Sequence, residues 1–287
     1  MLDLALSVLC SSLIFVIFKL FDILKVQTLY AIITNYIVAC TTGLLFYDGV
    51  INVTQVYQTN WFWGTLALGV LFIIVFNIMA KTSQEVGVSV ASVATKMSLV
   101  IPVLVGILLY QESLSVLKVA GIILALAAVY FASVKEGALK FSKKTLVLPI
   151  LVFVGSGIID ASINYFRATK LTSVEFPLFS ATVFAAAAFT GLLFILLKAI
   201  KQPLKVNFKN ILAGIVLGIP NYFSIFFLLR ALQNDLLNSA SVFTINNVAI
   251  VMFSTLLGIL LFKEKLIPKN WAGIVLAVIS ILLVALF

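Results

Sequence analysis

Histidine is absent from this chain, and cysteine occurs only twice in its 287 residues. A metal site or an imidazole proton relay therefore has almost no support, because both depend on these side chains. Cys10 and Cys40 each lie inside a long apolar segment, so we interpret them as small packing residues and not as a disulfide. No metal, no cofactor and no catalytic residue is predicted.

Charge is scarce as well. Charged residues form 10% of the chain and hydrophobic residues 63%. Soluble domains have about 25% charged and roughly 45–50% hydrophobic residues. The apolar runs are far longer than the ~10-residue strands of a membrane barrel, so we predict an all-α membrane protein embedded in the lipid bilayer. The formal charge of +9 does not indicate nucleic-acid binding, because the basic residues lie in short loops that flank apolar segments.

Polar or turn-forming breaks divide the sequence into ten predicted transmembrane helices. Their bounds are Leu2–Leu20, Thr28–Tyr47, Trp61–Ala80, Glu85–Tyr110, Leu114–Ser133, Leu146–Ala168, Val174–Leu197, Asn210–Leu229, Leu236–Phe262 and Pro268–Phe287. The first is interpreted as a retained span, because Asp3 stands where a signal peptide would have basic residues.

The two halves of the chain repeat one another in sequence. Thr42–Phe46 recurs as Thr190–Phe194 at an offset of 148 residues, and Gly106–Leu109 recurs as Gly258–Leu261 at an offset of 152. A nearly constant offset from the first span to the fifth indicates duplication, since chance matches among apolar residues would scatter.

We therefore predict two five-helix repeats, residues 1–135 and 146–287, joined by a basic linker at residues 136–145. Because five is odd, the second repeat must enter the membrane in the opposite orientation, which gives an inverted-topology repeat. One chain then supplies both repeats, so we expect a monomer.

Each repeat ends in a similar motif. The first reads Leu108-Leu109-Tyr110-Gln111-Glu112-Ser113-Leu114 with Gly121 in the next helix, and the second reads Leu260-Leu261-Phe262-Lys263-Glu264-Lys265-Leu266 with Gly273. These segments resemble the end of the EamA unit of the drug/metabolite transporter superfamily, in which Leu-x-x-x-Glu-x-Leu closes an apolar helix. Pro102 matches a proline that is usual early in that helix, and Ser254 stands there in the second repeat.

The resemblance implies ten helices around a central cavity, an alternating-access mechanism and transport, most often export, of a small metabolite. The resemblance does not indicate which metabolite is transported. We interpret Glu112 and Glu264 as structural, because a carboxylate at a helix end can accept backbone N–H bonds at the N-terminus of the next helix.

Lys96 lies near the middle of the fourth predicted span, 11 residues from Glu85 and 14 from Tyr110. An ammonium at this depth costs about 2.5–3.5 kcal/mol on insertion scales, and its stem does not comfortably reach either interface. We predict that Lys96 lines a wet cavity; the alternatives are a purely structural buried pair and misplaced limits of the predicted helix.

Asp160 lies midway along the sixth span, with Asn164 one turn later on the same face. A carboxylate there pairs with a cation or takes up a proton, so Asp160 is the candidate for proton coupling; a facilitator or exchanger without coupling is an equally open alternative. Lys96 and Asp160 come from opposite repeats at similar depth. We therefore predict that they share the central cavity, as an ion pair or as separate anchors for the two charges of a zwitterion; a pair that only locks the halves together is the alternative.

Further polar residues inside the spans complete the predicted lining of the substrate site. They are Asn35, Asn77, Ser92, Thr95, Tyr165, Asn221, Tyr222, Asn246 and Asn247. For any one of them, a hydrogen bond between helices is about as good an interpretation as contact with the substrate.

The leading hypothesis is a secondary transporter, by resemblance an exporter, for a small polar or amphipathic organic metabolite such as an amino acid. No Gly-rich phosphate-binding loop followed by Lys-Ser/Thr is present, so the energy source within this chain is not ATP. A structural subunit without a substrate is an alternative. An intramembrane enzyme is less favoured, because Ser92 and Lys96 would need a preorganised oxyanion hole.

Loop charges predict the orientation in a bacterial cytoplasmic membrane. The connections that follow odd-numbered spans carry 14 Lys and Arg residues, and the opposite side carries 4. The positive-inside rule therefore places those connections in the cytoplasm and both termini outside.

This orientation predicts the behaviour of reporter fusions. A fusion after Phe287 is expected to give active alkaline phosphatase and non-fluorescent green fluorescent protein, because the C-terminus lies outside. A fusion in the central linker after Lys140 is the control and should behave in the opposite way. A fluorescent C-terminal fusion would contradict the orientation.

Overall fold

The computed structural model describes residues 2–47, 53–110, 115–132, 143–171, 175–200, 207–232 and 239–286. Within these ranges every regular element is an α-helix. The helices are α1 (Leu2–Ile23), α2 (Thr28–Leu45), α3 (Val53–Gln58), α4 (Phe62–Glu85), α5 (Val88–Met97), α6 (Val100–Tyr110), α7 (Val116–Ala132), α8 (Lys143–Thr169), α9 (Phe176–Ala199), α10 (Phe208–Leu232), α11 (Ser239–Phe262) and α12 (Pro268–Leu286).

Eight helical segments in the described ranges are long and apolar enough to cross a membrane. Two shorter apolar helices, Val119–Ala132 and Pro268–Val284, coincide with the fifth and tenth predicted spans. The prediction of an all-helical, multi-pass membrane protein is thus confirmed, whereas the count of ten spans stays a prediction. Among the differences from the prediction, the short helix α3 lies in a predicted connection and α8 begins inside the predicted linker.

The fourth predicted span is two helices. α5 ends at Met97, Ser98 and Leu99 form a turn, and α6 begins at Val100. Lys96 therefore lies in the last turn of a short helix, at a break that the apolar pattern of the sequence does not reveal.

Pro102 accounts for this break. Proline has no N–H and its ring clashes with the carbonyl four residues earlier, which here belongs to Ser98. That carbonyl instead accepts the Ile101 N–H at 2.9 Å, which is the spacing of a tighter 3₁₀ turn. The corresponding helix of the second half, α11, has Ser254 in place of the proline and continues without a break.

The preceding boundary also differs from the prediction. Glu85 is the last residue of α4 and does not begin the next helix. Gly87 follows with a φ of +145°, a backbone conformation that residues with a Cβ rarely adopt. The chain turns there and enters α5 at Val88.

Glu264 caps α5 from the loop between α11 and α12. Its Oε1 accepts the Val88 N–H at 2.7 Å, and its Oε2 accepts the Ser89 N–H at 3.4 Å and the Ser89 hydroxyl at 2.9 Å. The predicted capping role is therefore observed for Glu264, but the capped helix belongs to the other half of the chain and is not the next helix. Glu112 lies outside the described residues.

α7 and α12 form a close pair beside the other helices. A Cβ at Gly273 would lie 2.4 Å from the Ala132 backbone nitrogen, so only glycine permits this approach. Asn270 fixes the pair, since its side-chain amide donates to the carbonyls of Phe131 and Ala132 at 3.1 and 2.9 Å.

The Glu264 cap predicts an effect on stability. Glu264→Gln should lower the free energy of unfolding by about 1–2 kcal/mol, because it removes one of two acceptor oxygens and the charge that complements the helix dipole. Thermal unfolding in detergent measures the change. Lys265→Gln, at the exposed neighbouring position, is the control and should stay within about 0.5 kcal/mol. Equal loss in the two variants would contradict the capping role.

Candidate functional site

A central cavity of about 260 Å³ lies among helices from both halves of the chain. Aromatic and aliphatic side chains form most of its wall, including Phe15, Phe72, Phe76 and Phe184. Its polar lining comprises Ser11, Thr95, Lys96, Ser156, Asp160, Asn221, Ser224 and Asn247. The cavity is therefore an apolar chamber in which a few polar groups converge, which is typical of small-molecule sites.

Lys96 from α5 and Asp160 from α8 both line this cavity. Lys96 is half-buried and Asp160 is exposed towards the cavity. The amine and the carboxylate come no closer than 4.0 Å, although both residues lie in the described ranges. The two charges thus face the same space without forming a direct ion pair.

The break between α5 and α6 provides local support for both charges. Lys96 occupies the last turn of α5, where the negative end of the helix dipole stabilises a cation. Ser98, in the turn, has a single hydroxyl proton, which is shared between the Thr95 carbonyl at 2.6 Å and Asp160 Oδ2 at 3.3 Å. Gly157 allows this approach, because a Cβ there would lie 2.3 Å from Ile101 Cδ1.

Asn221 connects the cavity wall to a buried asparagine pair. Its side-chain amide donates to Asn35 Oδ1 at 3.1 Å, and Asn35 is fully buried. The side-chain nitrogen of Asn35, Nδ2, has no hydrogen-bond partner. This pair joins α2 to α10 at the point where Pro220 interrupts the backbone bonding of α10.

The structure brings five of the twelve predicted site residues together at the cavity: Thr95, Lys96, Asp160, Asn221 and Asn247. Asn35 contacts the cavity only through Asn221. Asn246 is buried with its Oδ1 unpartnered, away from the cavity lining. Tyr222 lies in a second pocket.

The remaining four predicted residues lie elsewhere. Ser92 is fully buried and donates to the Ser89 carbonyl at 2.9 Å. Asn77 donates to the Ile73 carbonyl of its own helix at 2.7 Å. Asn164 and Tyr165 are exposed on α8 and do not line the cavity.

Sequence reasoning missed four serines. Ser156 lies one turn before Asp160 on the same face of α8, and its buried hydroxyl has no partner and lines the cavity. The i, i+4 spacing could have identified it. Ser98 precedes Pro102 by four residues. Because proline cannot bond the carbonyl four residues earlier, this spacing could have indicated the turn at Ser98. Ser11 and Ser224 carry no comparable signal, because serine is common on packed membrane helices.

The asparagine pair gives a stability prediction. Asn221→Ala would leave Asn35 buried without a partner, so we expect a loss of about 1–3 kcal/mol in the free energy of unfolding. Asn164→Ala, which removes an exposed asparagine, is the matched control and should change stability by less than about 0.5 kcal/mol. Thermal unfolding of the two variants in the same detergent makes the comparison. Similar midpoints would contradict the importance of the pair.

Comparison with known proteins agrees with this architecture. A model of the EamA-like transporter family matches residues 142–286. The chain is 30% identical to an uncharacterized protein of Haemophilus influenzae, with 97% of this chain and 96% of the relative covered. A protein crystal structure shares the fold with a TM-score of 0.60 at 18% identity, covering 99% of this chain and 96% of that one. The family match spans half of the chain, and the chain therefore belongs to the EamA-like transporter family of the drug/metabolite transporter superfamily.

Proposed function

We propose that this protein is a secondary transporter that carries a small zwitterionic or amphipathic metabolite, such as an amino acid, through the central cavity by alternating access. Two five-helix repeats of opposite orientation form the transport unit, and one chain is sufficient. The direction is export across a bacterial cytoplasmic membrane.

One observation carries this proposal. A cation and an anion from opposite halves of the chain face one cavity and do not neutralise each other directly. If Lys96 and Asp160 served only to join the halves, a direct, desolvated pair would be expected, because an uncompensated charge at this depth is costly. A ligand with a carboxylate and an ammonium compensates both charges at once.

The size and lining of the cavity restrict the substrate. Its volume of about 260 Å³ is below the ~300–1,000 Å³ of pockets that hold drug-sized ligands. Phe15, Phe72 and Phe184 offer an apolar surface, while Ser156 and Asn247 add hydrogen-bonding groups beside the charges. A small molecule with one apolar part and a charged end fits these properties.

Contacts between the halves at the lysine-rich end support alternating access. There Glu264 caps α5, and the Asn210 side chain accepts the Gln27 N–H at 3.0 Å. Both contacts are hydrogen bonds of loop and helix-end groups, which can break without unfolding a helix. Opening of the cavity towards the cytoplasm would require their rupture.

Asp160 is the proposed site of proton coupling, since it is the acidic residue that lines the cavity. Protonation would remove the charge that holds an ammonium, so the proton and the cationic group of the substrate would compete for the same carboxylate.

The alternative of a sealed structural subunit is less favoured, because a cavity lies between helices of the two halves. The enzyme alternative has little support, because the Ser92 hydroxyl bonds its own helix away from the cavity.

Ligand binding tests the proposal. Amino acids, nucleosides, organic anions and amphipathic amines would be compared by thermal unfolding of the purified protein. A compound that binds only the folded state adds about 2.7 kcal/mol of stability at a hundredfold excess over Kd. We expect one zwitterionic or amphipathic class to stabilise the wild type and to have no effect on Lys96→Ala. Absence of any shift, combined with strong destabilisation by Lys96→Ala alone, would indicate a structural lysine and would contradict the proposal.

Charge reversal separates a direct pair from two independent anchors. Lys96→Asp and Asp160→Lys should each abolish transport of the identified compound into proteoliposomes. If the two residues pair during the cycle, the double variant regains activity; if they anchor opposite ends of a zwitterion, it regains little, because the binding geometry is inverted. Full activity in either single variant would contradict a role in the site.

A further inference from the structure

A second pocket of about 220 Å³ lies between α2, α9 and α10. Two side chains, Phe184 and Ile225, line both this pocket and the central cavity. Phe184 is almost fully buried, and its ring stacks on Tyr36 with a centroid distance of 5.9 Å. We call this space the outer pocket, and Phe184 with Ile225 form the partition between it and the central cavity.

Aromatic rings form one wall of the outer pocket. Tyr222 stacks on Phe46 at 5.8 Å and on Phe226 at 6.0 Å, with interplanar angles of 26° and 24°. Phe46 and Phe226 are 5.4 Å apart. Tyr222 is therefore nearly parallel to each of its two neighbours, whereas Phe46 and Phe226 are tilted by 50° to each other. Together the three rings form an apolar wall, which suits a ring-containing group.

One cation lines the outer pocket, and a carboxylate lies next to that cation. Arg230 lines the pocket, and its guanidinium carbon lies 5.8 Å from the centre of the Phe226 ring. Arg230 Nε lies 3.6 Å from Asp3 Oδ1, which is beyond hydrogen-bonding distance. The side chains remain 55% and 26% exposed. Asp3 is not part of the pocket lining, but this long and partly exposed ion pair places its carboxylate beside the pocket.

The two chambers resemble each other in part. Each combines an aromatic wall with a cation in its lining, Lys96 in the central cavity and Arg230 in the outer pocket. Each cation also has a carboxylate nearby: Asp160 lines the central cavity, whereas Asp3 lies beside the outer pocket and forms an ion pair with Arg230 at 3.6 Å. The two spaces share Phe184 and Ile225 in their walls.

We propose that the outer pocket is a second binding site for the transported molecule, a zwitterion with an aromatic or other apolar body. Its carboxylate would bind the Arg230 guanidinium, its ammonium would bind Asp3, and its apolar part would lie against Tyr222. Rotation of Phe184 and displacement of Ile225 would connect this site to the central cavity. The inference rests on the proposed function, since it places two successive sites on one transport route.

The charges at the outer pocket decide between ligand classes. An aromatic wall alone would also suit a quaternary ammonium ion. Here the guanidinium already lies over Phe226 and would repel a ligand with only positive charge. A planar guanidinium is instead well suited to a carboxylate, and Asp3 then requires a positive group on the same molecule.

Gly43 offers a way to block the outer pocket alone, because it lines this pocket and not the central cavity. A Cβ at Gly43 would meet Ala181 Cβ at 3.5 Å and Tyr222 Cε2 at 3.6 Å, which are ordinary contacts. Gly43→Ala should therefore fit without strain, whereas the longer side chain of Gly43→Leu should fill the pocket. The two substitutions form a matched control and test.

The experiment measures binding of 4-fluoro-L-phenylalanine to the purified protein by equilibrium dialysis and by ¹⁹F NMR. We expect two bound equivalents and two bound resonances for the wild type and for Gly43→Ala, but one of each for Gly43→Leu and for Lys96→Ala. If Gly43→Leu does not fold, Arg230→Gln replaces it. This variant should bind one equivalent with an affinity at least about tenfold lower, while the affinity of the equivalent that depends on Lys96 is unchanged.

The possible failures are distinguishable. A single equivalent that is lost in Lys96→Ala and unchanged in Gly43→Leu would overturn the second site and leave the proposed function intact. No binding to any variant would overturn both the second site and an aromatic zwitterion as substrate. Loss of the outer resonance in nanodiscs of phosphatidylethanolamine, but not of phosphatidylglycerol, would show that a lipid headgroup occupies the pocket and would also overturn the proposal.

Discussion

The energetic cost of placing charged groups at the depth of the hydrocarbon core constrains the centre of this structure. Lys96 and Asp160 are tolerated there because each faces a cavity and each has a local electrostatic partner. For Lys96 the partner is the C-terminal end of α5. For Asp160 it is the Ser98 hydroxyl in the turn that follows α5. The break between α5 and α6 thus serves both charges at once.

That break also makes the two halves of the chain structurally unequal. α5 and α6 are interrupted next to Pro102, whereas α11 passes the corresponding depth as a continuous helix. A broken helix presents terminal backbone groups to a cavity, as in the discontinuous helices of other transporters. The continuous helix contributes Asn247 to the lining. The first half therefore supplies Lys96 beside an interrupted helix, and the second half supplies Asp160 and Asn247 from helices without such a break.

The Glu264 contact connects the interrupted segment of the first half to the second half. A carboxylate of the second half caps the helix that carries Lys96, so the position of the lysine depends on a contact between the halves. The surrounding glycines make room for this carboxylate, since a Cβ at Gly87 or Gly258 would lie 3.1 or 2.7 Å from its oxygens. Displacement of the second half at this end would release the N-terminus of α5 and thereby alter the cavity.

The sequence by itself determined the all-helical membrane class, the family and the residue types that could bind a charged ligand, because apolar length, repeat spacing and mid-span charge are linear properties. It also predicted that Lys96 and Asp160 face a common cavity, and both line it. A charge in an apolar run needs a special environment wherever the helix packs. Only the tertiary structure decided that Asn164 and Tyr165 lie outside the cavity, that Ser156 lies inside it, and that Glu264 reaches across to α5. These facts depend on helix rotation and on pairing between distant segments, and neither is encoded in the spacing of residues along one helix.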